Sequence, residues 1–434
     1  MSTEVNVQYF SHSNGLVLGN SWGDLIRLLD TCLVNGLPLS SITSASIDTQ
    51  GDIILNFYAA HNCMLFQIVE LSSFTSVQVD AEARTINGKY RIKGVPTTTQ
   101  IILKGIPRTA ENSNPISITN IGTAKLASLG YEIIFRDGGD VKRVYRAKNP
   151  NAEHPFIRVD ETISDGTNTY SSTYVKSAMV GLLENMTHID DYLDPSKIQL
   201  PLATSNFNKN WGITGSGSTV VRGWAKWVYA SSGWVYSLTE SNTPNVGLRK
   251  FTLCGDLNSF YFLVGRDTAN TSAKFLNGCG VYDAALLGDV VPNWFLMATL
   301  KNNAAGSSID YGTIGFTPLL YTASTSKFLT TNYNLVERVS NSIYTNAVMP
   351  NYTSGNTNIF SGTTLPALQI PFYDDSAKLR GSLNHVLYSG KVSNNYTNTT
   401  PILSNNSMYI ADSAAKADDN NSLYGFYFYL GELE

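Results

Sequence analysis

The sequence predicts a mainly β protein, in which an N-terminal helix is followed by several antiparallel, sandwich-like β modules. Charged residues make up only 15% of the 434 residues, and the polarity comes instead from Ser, Thr and Asn beside 34 glycines. Thr, Tyr and Phe fit the pleated surface of a sheet, whereas Asn and Gly accept the turn positions that require a positive φ. A chain of this length exceeds one ordinary core, so we expect two or three modules.

The first predicted elements are an N-terminal arm at residues 1–20 and a helix at residues 21–38. Ser21 and Asp24 form a variant of the capping box, in which the carboxylate reaches back to the cap. The apolar residues of the helix recur with helical spacing and form one stripe, namely Leu25, Leu28, Leu29, Cys32 and Leu33. We expect this stripe to pack on the central β body and the arm to reach an adjacent subunit. A chain that lacks the arm should then fold but not assemble.

A small β module is predicted at residues 39–106, where short extended runs alternate with turn residues. Turns are predicted at Gln50-Gly51 and at Asn87-Gly88, because Gly and Asn-Gly are typical of tight connections between strands. Residues 107–119 are polar and include two prolines, which indicates a linker or a long loop.

Two further β regions complete the predicted order, a central one at residues 120–205 and an aromatic-rich C-terminal domain at residues 206–434. Asp137-Gly138-Gly139 predicts a turn between two central strands. Residues 174–186 fit a helix or a strand by periodicity, and we favour a strand because β segments flank it. The last residues read as a strand with aromatic side chains on both faces, which implies burial or a subunit contact.

The large aromatic side chains and the helical stripe supply the candidate contact residues. The aromatic stripe fits either a sheet core or interface, or a platform that stacks on sugars, and consists of Trp224, Trp227, Trp234 and Tyr236. We favour the core or interface, which is the usual place of large aromatic side chains. The interface candidates are Trp22, Leu25, Leu29, Trp224, Trp227, Trp234, Phe426 and Phe428.

The sequence contains no motif that assigns catalytic, cofactor-binding or metal-binding residues, and we predict none of the three. The five histidines are scattered, and none has the H-E-x-x-H spacing of a zinc site. The glycine-rich segment at residues 212–223 contains G-x-G, but neither a P-loop lysine nor a helix follows. We therefore interpret it as a turn between strands.

Three acidic clusters leave a second interpretation open, namely Asp190-Asp191 with Asp194, Asp374-Asp375 and Asp418-Asp419. Carboxylates of this kind could bind calcium or act as the acid and base of glycoside hydrolysis. We favour solvated turn residues, because Asp and Asn readily occupy turns.

The net charge and the cysteines indicate in which cellular compartment the chain folds and which kinds of partner it does not bind. The net charge of −4 gives no basic field for nucleic acid or for a membrane surface, so we expect neither partner. The N-terminus has no signal-peptide pattern, and no apolar run reaches the roughly 18 residues of a membrane span. The four cysteines form no C-x-x-C pair and are expected to be reduced and buried in a chain folded in a cytoplasm.

Several short motifs, in this order along the chain, resemble a family of structural proteins in the virions of tailed bacteriophages. The motifs are SWGDLIRLLDTCLVNGL (21–37), GYEIIFRDGGDVKRVYRAKN (130–149), PFIRVDET (155–162), MTHIDDY (186–192), GDLNSFYFLV (255–264) and KLRGSLNHVLY (378–388). Tyr131, Ala147 and His188 depart from the family pattern. The family has no assigned catalytic residues, so the resemblance carries none over.

The resemblance implies a non-enzymatic structural component of a phage particle, in the tail, baseplate or neck, or as a capsid decoration. Such a component is made in the host bacterial cytoplasm, forms a homo-oligomer and contacts other virion structural proteins. The alternative is a receptor-binding or glycan-depolymerising tail fibre or tailspike, which would bind a host surface glycan with its tryptophan-rich segment and an aspartate pair. Burial of Trp224, Trp227 and Trp234 would argue against this alternative.

Overall fold

The computed structural model of the chain describes most of its length. The described residues are 6–75, 86–105, 116–148, 150–151, 154–164, 170–202, 206–233, 239–285, 292–300, 319, 327–331, 342–350, 367–392, 396–416 and 419–433. Antiparallel strands dominate these residues, which confirms the mainly β fold class. The N-terminal helix is shorter than predicted and consists of α1 (Asp24–Leu29) and a π-helical segment (Asp30–Asn35). Short 3-10 turns occur at His12–Asn14, Asp191–Leu193, Phe207–Asn210 and Gly217–Thr219.

The strands are numbered in chain order. In the first half they are β1 (Gln8–Ser11), β2 (Leu37–Pro38), β3 (Ile42–Ile47), β4 (Ile53–Phe57), β5 (Ile68–Ser72), β6 (Gly88–Thr97), β7 (Gln100–Leu103), β8 (Ile116–Ser117), β9 (Thr123–Leu126), β10 (Tyr131–Arg136), β11 (Lys142–Ala147), β12 (Phe156–Asp160), β13 (Lys176–Leu183), β14 (Gln199–Leu200), β15 (Ile213–Thr214), β16 (Val221–Arg222) and β17 (Ala225–Ala230). In the second half they are β18 (Phe251–Gly255), β19 (Ser259–Gly265), β20 (Lys274–Val281), β21 (Asp283–Ala284), β22 (Trp294–Met297), β23 (Thr299–Leu300), β24 (Phe328–Thr331), β25 (Ser342–Ala347), β26 (Leu368–Asp374), β27 (Leu379–Val392), β28 (Thr400–Ser404), β29 (Ser407–Lys416) and β30 (Asp419–Glu432).

The N-terminal sheet has the strand order β2-β9-β5-β6-β7-β4-β3-β8. The turn predicted at Gln50-Gly51 is confirmed, and Asp48 holds it by accepting hydrogen bonds from the amides of Gln50 and Asp52 at 2.8 and 2.9 Å. The turn predicted at Asn87-Gly88 is wrong, because Gly88 begins β6 and the hairpin turn follows Thr97. The Asn87 side chain instead bonds both backbone groups of Phe74.

The central sheet has the order β10-β11-β12-β13-β17-β23, with β14 beside β13. The strand that we favoured within residues 174–186 is confirmed as β13, whose residues are all buried. Burial on both faces explains why its periodicity did not distinguish a strand from a helix. The turn predicted at Asp137-Gly138-Gly139 is confirmed, with the Asp137 carboxylate accepting from Gly139 and Val141. The glycine-rich segment lies in the turn between β15 and β16, as interpreted.

The C-terminal sheet runs from β1 at one end, through β18, β19, β20, β22, β24, β25, β26, β27, β30 and β29, to β28 at the other. The sheet curls until its ends meet, since Ser11 Oγ of β1 lies 2.9 Å from Thr399 Oγ1 beside β28. Aromatic side chains from opposite parts of the sheet pack inside, as between Tyr261 and Phe428 with ring centroids 6.2 Å apart. The curled sheet therefore encloses its own apolar core.

Residues 8–11, which belong to the predicted arm, form a buried strand of the chain's own C-terminal sheet. They pair with β18, and their side chains are at most 1% exposed. Gln8 also bonds the backbone N–H and C=O of Ile68 in the N-terminal sheet, at 2.9 and 2.8 Å. The prediction that the arm reaches an adjacent subunit is wrong for these residues, because Tyr9 and Phe10 fill the interior and β1 completes the end of the sheet.

Candidate functional site

The N-terminal helix packs on the central sheet, as the sequence analysis expected. All five residues of the predicted stripe are at most 3% exposed, and they join a core that includes residues of all three large sheets. Asp30 anchors the helix to β11, because it accepts from the Tyr145 hydroxyl at 2.7 Å and from the Arg143 guanidinium at 3.2 Å. Arg143 is 1% exposed, so this ion pair is shielded from water.

The cap of the helix differs from the prediction. The Asp24 carboxylate reaches back to the Ser21 amide at 2.9 Å, but the N-cap is Gly23, with φ 83°. Glu161, at the end of β12, accepts from the amides of Gly23 and Ile26 at 2.6 and 3.1 Å and from the Tyr229 hydroxyl at 2.8 Å. A carboxylate from a distant strand therefore satisfies the orphan amides at the positive end of the helix.

Glu161 is fully buried, and burial raises its pKa, against hydrogen bonds from Gly23, Tyr229 and Ile26 that favour the carboxylate. We expect Glu161→Gln to lower the free energy of unfolding by about 1–3 kcal/mol, because the amide turns an N–H group toward donors. Chemical denaturation of the purified chain measures the loss. Glu70→Gln, on the partly exposed pair with Lys125, is the control and should change stability by less than about 1 kcal/mol. Equal effects of the two substitutions would contradict the capping role.

Most interface candidates lie in the interior of the chain. Leu25, Leu29, Trp224, Trp227, Phe426 and Phe428 are at most 3% exposed. Trp22 is half-buried, and its indole N–H donates to the Ser172 carbonyl at 3.1 Å. Trp234 lies outside the described residues. The six buried side chains contact the chain's own core in this structure, and their part in a subunit interface stays a prediction.

The tryptophans and acidic clusters do not form a sugar platform among the described residues. Trp227 is fully buried, and its indole N–H donates to the Met297 carbonyl at 2.9 Å. Asp190 pairs with Arg158 at 3.1 Å, and Asp374 accepts from the amides of its own turn. These carboxylates serve a turn and an ion pair, but Asp374 is buried and not solvated as predicted, because it accepts from the amides of its own turn. The side chains of the Asp418-Asp419 cluster lie outside the described residues.

A pocket of about 500 Å³ opens on the outer face of the C-terminal sheet. It is lined by side chains of β21, β26, β27, β29 and β30, which are Asp283, Gln369, Ser382, Leu383, Asn384, His385, Leu387, Ser407, Tyr409, Tyr429 and Glu432. Tyr409 and Tyr429 are opposite each other on β29 and β30, while the alternate residues Phe428 and Leu430 face the core. On β29 and β30 the pocket therefore uses the face that does not form the core, whereas Leu383 of β27 lines the pocket and also belongs to the core.

Two hydroxyl groups and a carboxylate form one side of the pocket. Glu432 Oε1 accepts from the Tyr429 hydroxyl at 2.5 Å and from Ser407 Oγ at 2.6 Å. These hydrogen bonds lower the pKa of Glu432, whereas burial and the hydrogen bond to Glu432 raise the pKa of Tyr429 to about 12. The Tyr409 and Tyr429 rings lie with centroids 5.4 Å apart. At neutral pH this side therefore presents the protonated hydroxyl of Tyr429 beside the Glu432 carboxylate.

On the other side of the pocket, two acidic residues hold the side chains of His385 and Asn384 in place. His385 Nε2 lies 3.0 Å from Asp256 Oδ2, in the turn between β18 and β19. With its nitrogen toward Asp283, the Asn384 side-chain amide donates to that carboxylate at 2.9 Å. His385 has a φ of 62°, a left-handed conformation that is uncommon for histidine. The turn and the strand therefore fix the position of the imidazole at the pocket wall.

The lowered pKa of Asp256 predicts that the free energy of unfolding depends on pH. Burial would raise its pKa, but hydrogen bonds from His385 and from the amides of Asn258 and Ser259 lower it below its ordinary value. A depressed pKa stabilises the fold above the unfolded-state value of about 3.9, and this stabilisation is lost as the pH falls through the folded-state pKa. We expect Asp256→Asn to cost about 1.5–3 kcal/mol at pH 7 and progressively less below about pH 4. A difference that does not change with pH, in denaturation curves from pH 3 to 7, would contradict this assignment.

The pocket and the roles of Glu161 and Asp256 were not predicted from the sequence. Alternation of outward residues along β27, β29 and β30 is the one signal that could have indicated a shared face. Among the described residues, no group of three or more His, Cys, Asp or Glu side chains is arranged to bind a metal ion. No helix in the described part of the chain is long and apolar enough to span a membrane.

Comparison with known proteins assigns no family. Neither a protein-family model nor a curated protein sequence matches this chain. Among solved structures, 91% of the chain aligns with 52% of the protein "Phage phi92 endosialidase", at 9% sequence identity and a TM-score of 0.15. The chain thus spans about half the length of that protein. At this TM-score the likeness supports neither a shared overall fold nor a shared activity.

Proposed function

We propose that the chain is a non-enzymatic structural component of a tailed-bacteriophage particle, which acts through protein–protein contacts. The tail, baseplate or neck is the proposed location, and capsid decoration is the close variant. The observation that carries the proposal is that the motifs resembling phage structural proteins, although far apart in sequence, contact one another. Four of the motifs contain the N-terminal helix, three strands of the central sheet and the loop after β13, and the other two lie in the C-terminal sheet.

The contacts between these motifs are specific side-chain interactions. The helix motif meets the strand pair of residues 130–149 through Asp30 and meets residues 155–162 through Glu161. Residues 155–162 in turn meet residues 186–192, where Arg158 donates to Asp190 at 3.1 Å. Tyr131 packs edge-on against Phe260 of a further motif, with ring centroids 5.8 Å apart. These contacts join the motifs into one folded unit. They support a structural role for the motifs over a role as separate catalytic sites.

Buried ion pairs support a rigid building block. Lys226 pairs with Glu240, and Lys274 pairs with Asp412, and all four side chains are 0% exposed. A buried pair stabilises only when its geometry is held well, so such pairs favour one arrangement of the strands. We further propose that the curled C-terminal sheet is sandwich-like and that several copies of the chain assemble with other virion proteins.

An amber mutation in the gene for this chain tests the proposal. In a host that does not suppress the mutation, we expect electron microscopy to show incomplete particles, because a structural component is missing. In a suppressing host, complete particles should contain the chain in multiple copies by quantitative mass spectrometry. Complete particles that lack the chain would contradict the structural role, and complete but non-infectious ones would favour a receptor-binding role.

The receptor-binding or depolymerase alternative loses those of its residues that the structure describes. Trp224 and Trp227 are buried, and the described aspartate pairs are engaged in turns and ion pairs. Trp234 and the Asp418-Asp419 side chains lie outside the described residues, so within the described part of the chain a glycan would have to bind to other side chains.

A further inference from the structure

We propose that the pocket on the outer face of the C-terminal sheet binds a neutral sugar. This binding site goes beyond the structural role and uses none of the tryptophans or aspartate pairs considered above. The volume of about 500 Å³ lies within the roughly 300–1,000 Å³ that is typical of small-molecule sites. The kind of ligand follows from the side chains that line the pocket.

The tyrosines suit the apolar faces of a pyranose ring. Tyr409 and Tyr429 are half-buried, and their rings lie side by side on adjacent strands. A sugar ring carries C–H groups on its faces and hydroxyl groups around its rim, so it packs against an aromatic ring while hydrogen bonding sideways. Tyrosine provides such a surface with little loss of conformational entropy.

The polar residues of the pocket suit the rim of hydroxyl groups. Gln369 and Ser382 can donate or accept, whereas Ser407, Asp283 and Glu432 accept, because Ser407 already donates its proton to Glu432. Glu432 is already oriented, since Ser407 and Tyr429 hold it. A ligand therefore meets polar groups in fixed positions, which reduces the entropy lost on binding.

The charge of the pocket favours a neutral sugar over an acidic one. Its lining includes the carboxylates Asp283 and Glu432 and neither lysine nor arginine. A sialic or uronic acid would bring a third carboxylate next to these two, and like charges at close range weaken binding. The same pocket therefore discriminates between neutral and acidic sugars of similar size.

Isothermal titration calorimetry and saturation-transfer NMR on the full chain test the proposal. The probes are maltose, lactose and di-N-acetylchitobiose, with sialyllactose as the acidic counterpart of lactose. We expect at least one neutral disaccharide to bind with a Kd of about 1 mM or lower, and sialyllactose to bind more weakly than lactose. Absence of binding by all three neutral probes, or tighter binding of sialyllactose than of lactose, would overturn the proposal.

Variants locate the binding at the pocket. Tyr409→Ala removes a ring and Glu432→Ala removes an acceptor, and each should raise the Kd by about tenfold or more, equivalent to about 1.4 kcal/mol. Tyr58→Ala is the matched control, because Tyr58 is 81% exposed and does not line the pocket. Thermal melting establishes that the variants are folded, and Tyr409→Phe, which keeps the ring, should retain binding. Wild-type affinity in either alanine variant of the pocket would overturn the assignment.

Discussion

Asp412→Ala is expected to lower the free energy of unfolding by about 3–5 kcal/mol, because it leaves the Lys274 ammonium buried without its partner. Asp412 of β29 and Lys274 of β20 are both 0% exposed, and their charged atoms lie 2.5 Å apart. Asp412 also accepts from Thr252 Oγ1 at 2.7 Å, and Thr252 in turn contacts Thr399 at 2.6 Å. The substitution therefore weakens the place where the curled sheet meets itself.

Urea denaturation of the purified variants measures the loss. Asp375→Ala is the matched control, because its pair with Lys327 is partly exposed, at 51% and 34% of the side chains. This control should change stability by about 1 kcal/mol or less. The double variant Lys274→Met/Asp412→Leu should be more stable than Asp412→Ala, because no charge is then left buried. Similar losses of unfolding free energy for Asp412→Ala and Asp375→Ala would contradict the role of the buried Lys274–Asp412 pair where the curled sheet meets itself.

Deletion of residues 1–11 is expected to prevent stable folding, and not merely to impair assembly. Tyr9 and Phe10 are fully buried, and burial of a large apolar side chain contributes roughly 1.5–3 kcal/mol, so these two alone contribute roughly 3–6 kcal/mol. The deletion also removes the backbone partners of β18 and the hydrogen bonds of Gln8 to Ile68. A loss of this size is a large part of the roughly 5–15 kcal/mol that stabilises a typical domain.

Solubility, circular dichroism and thermal melting of the two truncated chains test this expectation. Deletion of residues 1–5 is the control, since it leaves β1 in place and should preserve the melting transition. A chain that lacks residues 1–11 yet melts like the full-length protein would show that β1 is dispensable, and would return these residues to the role of an arm.

Local patterns predicted the elements whose partners lie nearby in the chain. The turns at Gln50-Gly51 and Asp137-Gly138-Gly139 depend on side chains within a few residues, and the leucine stripe of the helix depends on helical spacing alone. Residues 174–186 were predicted as a strand because β segments flank them. In the turns and the helix the determining interaction is short-range or is a repeated burial pattern, whereas residues 174–186 were assigned from their neighbours, because β13 is buried on both faces.

Long-range contacts explain what the sequence could not predict. Glu161 caps a helix whose Gly23 amide lies 138 positions away, and Gln8 bonds Ile68 across 60 positions. Nothing within the local sequence around either residue indicates these partners. The pocket likewise arises only because β27, β29 and β30 become neighbours in the curled sheet. The prediction of an arm was wrong for residues 8–11 for the same reason, because the strand that pairs with β1 is β18, far along the chain.

Cryo-electron microscopy of intact particles, from the phage proposed to encode this chain, tests the central proposal most directly. We expect to trace the chain in repeated copies between other virion proteins, with Trp224 and Trp227 buried and β1 paired to β18 within each copy. The map would also give the location and the symmetry. A chain absent from the particle, or found at a fibre tip without structural neighbours, would contradict the account.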